Sequence, residues 1–254
     1  MTISPNRLMG RRAIITGGAS GIGLATARQF AELGARVAIN YLPGDDQGAA
    51  AVVELLEQGF DVLSAPGDVS NPDDTRSMIA GAIAELEGLD YLINNAGTTG
   101  TVEPIEFSRL DAMTEEFWQK ILSTNLIGPF NCIRAAVDAL RVSNGAVVNT
   151  ASVAGLGIRG SSLAYAASKA ALVNLTRNLA RALAPEIRVN AVAPGLIETP
   201  LTDGWSLERK KQTIDATLLA RLGKPAEIAE VIVFLAAQAS YINGETVVAN
   251  GGSA

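Results

Sequence analysis

Thr16-Gly17-Gly18-Ala19-Ser20-Gly21-Ile22-Gly23 follows an apolar run at 12–16 and opens a helical pattern at 22–33. Glycines at such a junction let the chain turn sharply and let its backbone approach a pyrophosphate. The open amides and dipole of the helix N-terminus favour that negative charge. The spacing is G-x3-G-x-G, not G-x-G-x-x-G. By itself a glycine-rich loop is also what any tight turn looks like. Its place between the first strand and the first helix of a β-α-β unit is the context that dinucleotide binding requires. Gly17, Ser20, Gly21, Ile22 and Gly23 are therefore expected against a dinucleotide.

Outward from this loop, apolar runs at 12–16, 36–41, 61–67, 91–94, 146–151, 187–193 and 245–249 alternate with helical patterns at 22–33, 45–58, 73–87, 115–140, 164–184 and 225–237. The runs are apolar on both faces, as in the central strands of a parallel sheet that is covered on both sides. Repeated β-α alternation with right-handed crossovers predicts an α/β fold: a Rossmann-like doubly wound parallel sheet of about seven strands with helices on both faces. Asn71-Pro72-Asp73-Asp74 is a helix start, with proline early and acids at the positive end, and Gly34 and Gly59 stand where helices should stop. No repeat, low-complexity tract or linker divides the chain, so one dinucleotide-binding domain over 1–254 is expected. The polar, helical stretch at about 196–224 reads as a substrate lid.

Composition narrows the chemistry. With 254 residues, 48% of them hydrophobic, the chain can bury a sizeable core. A net charge of -6 and no block of Lys or Arg argue against a nucleic-acid partner. Histidine is absent, which removes Ser-His-Asp hydrolysis, Cys-His catalysis and the usual zinc sites, so no metal is expected. A single cysteine, Cys132, sits among apolar residues and reads as a core filler, with no internal disulfide available. Residues 1–10 lack the charged-then-apolar organisation of a signal peptide, and no apolar run approaches the roughly 20 residues of a membrane span. A soluble cytoplasmic protein with no membrane partner is the expectation.

Ala164-Tyr165-Ala166-Ala167-Ser168-Lys169 places Tyr165 and Lys169 four residues apart on a predicted helix, hence on one face. A phenol titrates near 10 and is a poor base at neutrality; a neighbouring ammonium or an oxidised nicotinamide favours the phenolate. A tyrosine tuned in this way can exchange a proton with an alcohol or carbonyl oxygen. An isolated Y-x-x-x-K is more often a half-buried tyrosine beside a surface lysine, so spacing alone decides nothing. Asn149-Thr150-Ala151-Ser152 supplies the company: Ser152 lies 13 residues before Tyr165 at the end of an apolar strand, where open α/β sheets bind ligands. The end of the second strand should meet the adenosine ribose. There an acid would repel a 2′-phosphate, and Asn40-Tyr41-Leu42 offers none, so NADP is favoured slightly over NAD.

In sum the chain resembles the short-chain dehydrogenase/reductase family over essentially its whole length. Thr16 to Gly23 is similar to that family's T-G-x-x-x-G-x-G, Asp68-Val69 to its adenine-contacting D-V, and Asn94-Asn95-Ala96-Gly97 to its N-N-A-G. Asn125, Ser152, Tyr165 and Lys169 match its asparagine, serine, tyrosine and lysine, and Pro194-Gly195-Leu196-Ile197-Glu198-Thr199 its P-G-x-I-x-T. The resemblance implies an NAD(P)-dependent oxidoreductase acting on an alcohol or ketone, with Tyr165 as general acid/base and Ser152 polarising the substrate oxygen. It implies that Lys169 lowers the tyrosine pKa and binds the nicotinamide ribose, and that Asn125 holds a relay water. It further implies cofactor contacts from Tyr41, Leu42, Asp68, Val69, Asn95, Ala96, Gly97, Pro194, Gly195, Ile197 and Thr199, and a homo-oligomer of four or two copies.

Substrate identity falls to residues 153–162, 98–101 and the lid, with Leu156, Leu196, Leu201 and Trp205 as apolar walls. No arginine can be placed there to hold a carboxylate; Arg159 is expected at solvent. The family includes 3-oxoacyl-carrier-protein reductases and sugar or polyol dehydrogenases. The net charge of -6 makes docking of an acidic carrier protein less favourable. A catalytically retired cofactor sensor would not need Asn125, Ser152, Tyr165 and Lys169 together.

Overall fold

The computed structural model describes residues 7–253; residues 1–6, part of the stretch read for a signal peptide, and Ala254 lie outside the described residues. The strands are β1 (Arg12–Ile15), β2 (Arg36–Tyr41), β3 (Val62–Pro66), β4 (Tyr91–Asn94), β5 (Ala146–Thr150), β6 (Arg188–Pro194) and β7 (Thr246–Ala249). They form one parallel sheet in the order β3-β2-β1-β4-β5-β6-β7. The helices are α1 (Gly21–Glu32), α2 (Asp46–Glu57), α3 (Pro72–Leu86), α4 (Glu115–Leu122), α5 (Gly128–Ser143), α6 (Leu163–Leu183), α7 (Pro200–Asp203), α8 (Leu207–Asp215) and α9 (Pro225–Val233).

Successive strand residues point to opposite faces, and here both directions are buried. Ala13 and Ile15 of β1 join a core with Phe30 of α1, Leu55 of α2 and Ile232 of α9. Ile14 joins the opposite core, with Ile79 of α3, Ile133 of α5 and Leu183 of α6. This is the doubly wound arrangement expected from strands that are apolar on both sides. Cys132 lies wholly inside the second core, where burial pushes its thiol up to about 12 and leaves it an inert filler.

The helix expected over 115–140 is not continuous. A π-helical turn, Ser123–Ile127, separates α4 from α5. Pro129 in the first turn of α5 has no N–H for the preceding turn and its ring crowds that turn, which a wider turn accommodates. A second such turn, Phe234–Gln238, ends the segment expected as helix over 225–237. No helix among the described residues is long and apolar enough to cross a membrane.

The amino-terminal ends of the central strands are held by Asp90, which is 2% exposed. Its carboxylate accepts from Arg11 Nη1 (2.8 Å), Arg12 Nε (2.8 Å) and the Arg12 amide (3.0 Å). Its carbonyl accepts from the Ala146 amide at 2.9 Å, tying β1, β4 and β5 together. Burial alone would raise this carboxyl, but the bonds from Arg12 and Arg11 outweigh it and hold the group below its ordinary 3.8. A carboxyl depressed on folding stabilises the fold above its unfolded value and loses that contribution as pH falls through the folded one. Asp90→Ala should therefore cost about 2–3 kcal/mol at pH 7 in urea melts, with the gap to wild type closing as pH falls below the ordinary 3.8. A gap that stays constant across that range would show that the charge is not what holds the junction.

Candidate active site

Strand order reverses between β1 and β4, and a cavity of about 970 Å³ opens at the carboxyl ends of β1, β4, β5 and β6. Such a switch point is where open α/β sheets leave room for a ligand. The loops after these strands form one side of the cavity, and residues 196–216, with α7 and α8, form the other.

The glycine turn is held by three polar side chains. Thr16 Oγ1 accepts from the amides of Asn95 (3.0 Å) and Ala96 (3.1 Å). Asn95 Nδ2 donates to the carbonyls of Gly17 (3.0 Å) and Thr16 (3.2 Å). Asn40, 2% exposed, accepts from the Gly17 amide (3.1 Å) and donates to Ala65 and Gly67, so its side chain is turned inward. At Gly23 a Cβ would sit 2.0 Å from the Gly17 carbonyl oxygen, so no larger residue fits where α1 passes under the turn. At Gly21, with φ +50°, a Cβ would lie 3.1 Å from the side chain of Thr199, which leans over the loop from the opposite wall.

Helices α2, α3, α4, α6 and α8 have a side chain capping their first amides, whereas α1 starts at Ser20 with no side-chain cap and no acid in its first turn. The open amides of α1 therefore face the cavity beside backbone that only glycine can form, and a pyrophosphate fits there. Gly17, Ser20, Gly21, Ile22, Asn95, Ala96, Gly97, Pro194, Gly195, Ile197 and Thr199 all line the cavity. Tyr41, Leu42, Asp68 and Val69 stand apart from its walls, at and beyond the ends of β2 and β3. Tyr41 donates to Ser64 Oγ at 3.2 Å, Leu42 is exposed, and Asp68 closes a turn by accepting from the Ser70 amide and hydroxyl, both at 2.8 Å.

Ser162 caps α6 by accepting from the Tyr165 amide at 3.1 Å, which sets Tyr165 in the first turn and Lys169 one turn further. Both line the cavity together with Ser152, whose Oγ accepts from the Ala154 amide at 3.2 Å where β5 ends. Lys169 is 4% exposed and donates from Nζ to the Thr150 carbonyl at 2.7 Å. Its amine lies 5.7 Å from the Tyr165 ring centroid, and burial lowers it to about 8. The expected lowering of the tyrosine is not found. Burial raises the Tyr165 phenol above its ordinary value, and the Ser152 hydroxyl only partly offsets this. Withdrawal from water outweighs an ammonium that is spent on a carbonyl and lies over the ring face.

Asn125 is wholly buried in the π-helical turn and does not border the cavity. Its Oδ1 accepts from the Thr98 amide (2.8 Å) and its Nδ2 donates to the Thr98 carbonyl (2.9 Å) and Ser168 Oγ (3.2 Å). Gly97 lies between it and the lysine: a Cβ there would be 3.4 Å from Asn125 Oδ1 and 3.6 Å from Lys169 Nζ.

Leu196, Leu201 and Trp205 line the cavity as expected, but Leu156 does not and is exposed instead. Arg159 is about half exposed, as expected, yet it borders the cavity and pairs with Glu106. Ser161 and Arg209 lie in segments expected to line the cavity but were not singled out there, whereas Glu106 is a wall residue outside those segments that sequence reasoning missed, and Asn40 is a missed organiser of the glycine turn.

Residues 17–254 match the family described as Enoyl-(Acyl carrier protein) reductase. The chain is 39% identical to the 3-oxoacyl-(acyl-carrier-protein) reductase FabG of Staphylococcus aureus over 96% of this chain and 98% of that one. Among solved structures it is similar to a short-chain dehydrogenase/reductase titled glucose/ribitol dehydrogenase from Brucella melitensis, at 34% identity and TM-score 0.89 over 99% of both chains. It is also similar to a blue fluorescent protein from a metagenomic library, solved in complex with NADPH, at 31% identity and TM-score 0.88 over 97% of this chain and 99% of that one. A doubly wound sheet with an open helix end at its switch point fits a dinucleotide, and the chain belongs to the short-chain dehydrogenase/reductase family, a family of oxidoreductases. It is an NAD(P)-dependent enzyme of that family.

The buried lysine makes stability depend on pH. With a folded value of about 8 against an ordinary 10.5, Lys169 holds its proton less firmly folded than unfolded. Between these values the unfolded chain binds more protons, so this residue makes stability rise with pH from about 8 toward 10. Wild type should gain melting temperature on Lys169→Met between pH 7.5 and 9.5. A difference that stays flat would mean the amine is not shielded from water.

Proposed function

We propose that the chain interconverts a ketone and an alcohol on a small molecule, with Tyr165 as general acid/base. The observation that carries this reading is the meeting of Tyr165, Ser152 and Lys169 on one cavity wall, beside the turn that fits a dinucleotide. A nicotinamide held by the glycine turn and by Pro194 to Thr199 would supply or accept the hydride. Ser152, whose hydroxyl already approaches Tyr165, donates to the substrate oxygen and orients it. Tyr165 transfers its proton to that oxygen as negative charge develops there. Lys169 keeps a cation beside the phenol, against the burial that raises it, and it also holds the nicotinamide ribose. Asn125 fixes the backbone at Thr98 and, through water, serves the lysine as a proton relay.

For the cofactor, NADP is favoured over NAD. No acid ends β2, Asn40 is turned inward, and the NADPH complex of the metagenomic relative supports the reading. The other cofactor contacts proposed are those of the glycine turn, of Asn95 to Gly97 and of Pro194 to Thr199, with Tyr41, Leu42, Asp68 and Val69 serving the adenosine end. The whole chain is proposed as one domain with residues 196–224 as its lid, working in the cytoplasm as a homo-oligomer of two or four copies. Exposed Phe234, Tyr241 and Val248 near the β7 edge support self-association.

A second reading, reduction of a carrier-bound 3-oxoacyl chain, is favoured by the FabG relatives. The net charge of -6 weighs against docking an acidic carrier. Rates with a carrier-linked ketone and with a free one, each with both cofactors, separate the two.

Tyr165→Phe removes one oxygen and should lower kcat by roughly 10²–10⁴ while leaving dinucleotide affinity within about twofold, measured by quenching of protein fluorescence. Lost affinity with retained turnover would make the tyrosine structural.

A further inference from the structure

A second polar cluster faces the reactive phenol from the lid side, and the chemistry above does not use it. Arg209 of α8 lies over the Trp205 ring, 4.9 Å from its centroid, and donates from Nη2 to the Gly160 carbonyl at 3.0 Å. Its side chain is 20% exposed. Gly160 in turn packs on the phenol: a Cβ there would lie 3.3 Å from Tyr165 Cδ1. A single residue thus separates the guanidinium from the reactive ring.

The charges around this arginine do not balance. Arg159 hydrogen-bonds Glu106 Oε2, and Arg209 Nη1 lies 4.0 Å from Glu106 Oε1, so two guanidiniums share one carboxylate. Glu103 and Glu208 also border the cavity, but both are exposed and pair with neither arginine. Burial and the charge of Arg159 destabilise the Arg209 cation, and Glu106 offsets this only in part. Two further polar groups of the same wall have no partner: the hydroxyl of Ser161, a residue 2% exposed, and the indole nitrogen of Trp205. A half-withdrawn guanidinium with spare donors beside it suits a carboxylate, which can accept two parallel N–H bonds. Glu106 is 61% exposed and can swing into water at little cost, since an exposed ion pair contributes only about 0–1 kcal/mol.

We propose that Arg209, assisted by Arg159, receives an anionic group of the substrate, and that the substrate class is a short oxo acid or hydroxy acid. Its carboxylate would lie a few bonds from the reacting carbon, and Glu106 holds that place until the substrate arrives. The inference rests on the reading of Tyr165 as the proton-transfer group, which fixes where the reacting oxygen lies. Ile158, Leu196 and Leu201 also line the cavity and offer apolar wall for the connecting carbons.

The test compares acetoacetate with its uncharged methyl ester as substrates of the whole protein with saturating dinucleotide. Wild type should favour the acid in kcat/KM by about tenfold or more. Arg209→Gln should bring the acid-to-ester ratio toward one, chiefly through KM of the acid, and Arg209→Lys should restore part of it. Glu106→Gln, which removes the competing carboxylate, should raise the ratio. A wild-type ratio at or below one, or a ratio unmoved by Arg209→Gln, overturns the proposal. Binding of unreactive butyrate and butyramide to the dinucleotide complex, read by Trp205 fluorescence in a Trp118→Phe background, is independent of turnover. Butyrate alone should bind, and only with Arg209 present; equal binding of both overturns the proposal even if the variants fold poorly. Turnover of uncharged ketones without acid preference sinks this inference alone. Absence of any ketone turnover sinks the reading of Tyr165, while the butyrate measurement still decides whether Arg209 receives anions.

Discussion

The molecule depends on a knot of hydrogen bonds where the first strand gives way to its glycine turn. Thr16 accepts two amides from the chain leaving β4, and Asn95 returns two bonds to the carbonyls of Thr16 and Gly17. These bonds cross the point at which strand order reverses, where two diverging loops would otherwise leave buried polar backbone without partners. Asn40 closes the knot from the β2 side. The glycine turn is thereby held open, with the first amides of α1 aimed into the crevice before any ligand arrives. A site arranged in advance spends less of its binding free energy on ordering itself.

The same logic places the reactive side chains on regular elements or directly at their ends, with loops only completing the walls. Tyr165 and Lys169 are one helical turn apart, and the capping bond from the Tyr165 amide to Ser162 fixes where that helix begins. Ser152 comes from the end of β5, whose neighbour in register is β4, so two central strands set its distance from the glycine turn. Even the buried polar pair Asn94 and Asn149 follows from that register: the two are directly opposed and hydrogen-bond at 2.9 Å, and Thr176 of α6 continues the chain. The strand that carries the serine and the helix that carries the tyrosine are thereby joined by polar contacts that tolerate little sliding.

Much of this was legible in the sequence because the fold is written in local patterns. Strands apolar on both faces announce a sheet covered on both sides, and Asn71-Pro72-Asp73-Asp74 announces the start of α3; both are realised. The interruption between α4 and α5 also had a local sign, Gly128-Pro129, which the surrounding helical periodicity masked. Other features had none. Asn40 contacts residues 25 and 27 positions away, and Arg159 reaches Glu106 across 53. Such partnerships arise only when distant loops are folded together. The raised phenol of Tyr165 was illegible for the same reason: the sequence places a cation nearby but says nothing of how far both groups are withdrawn from water.

The uncapped start of α1 carries a consequence for how long the protein persists. A helix whose first amides lack side-chain partners is less settled alone than with an anion seated on them, so the unliganded chain is the weaker form. Stability gained by ligation grows with the logarithm of ligand concentration over its dissociation constant. Resistance to heat and to proteases should therefore follow the supply of dinucleotide around the chain, and a cell depleted of that coenzyme would also lose the protein that uses it.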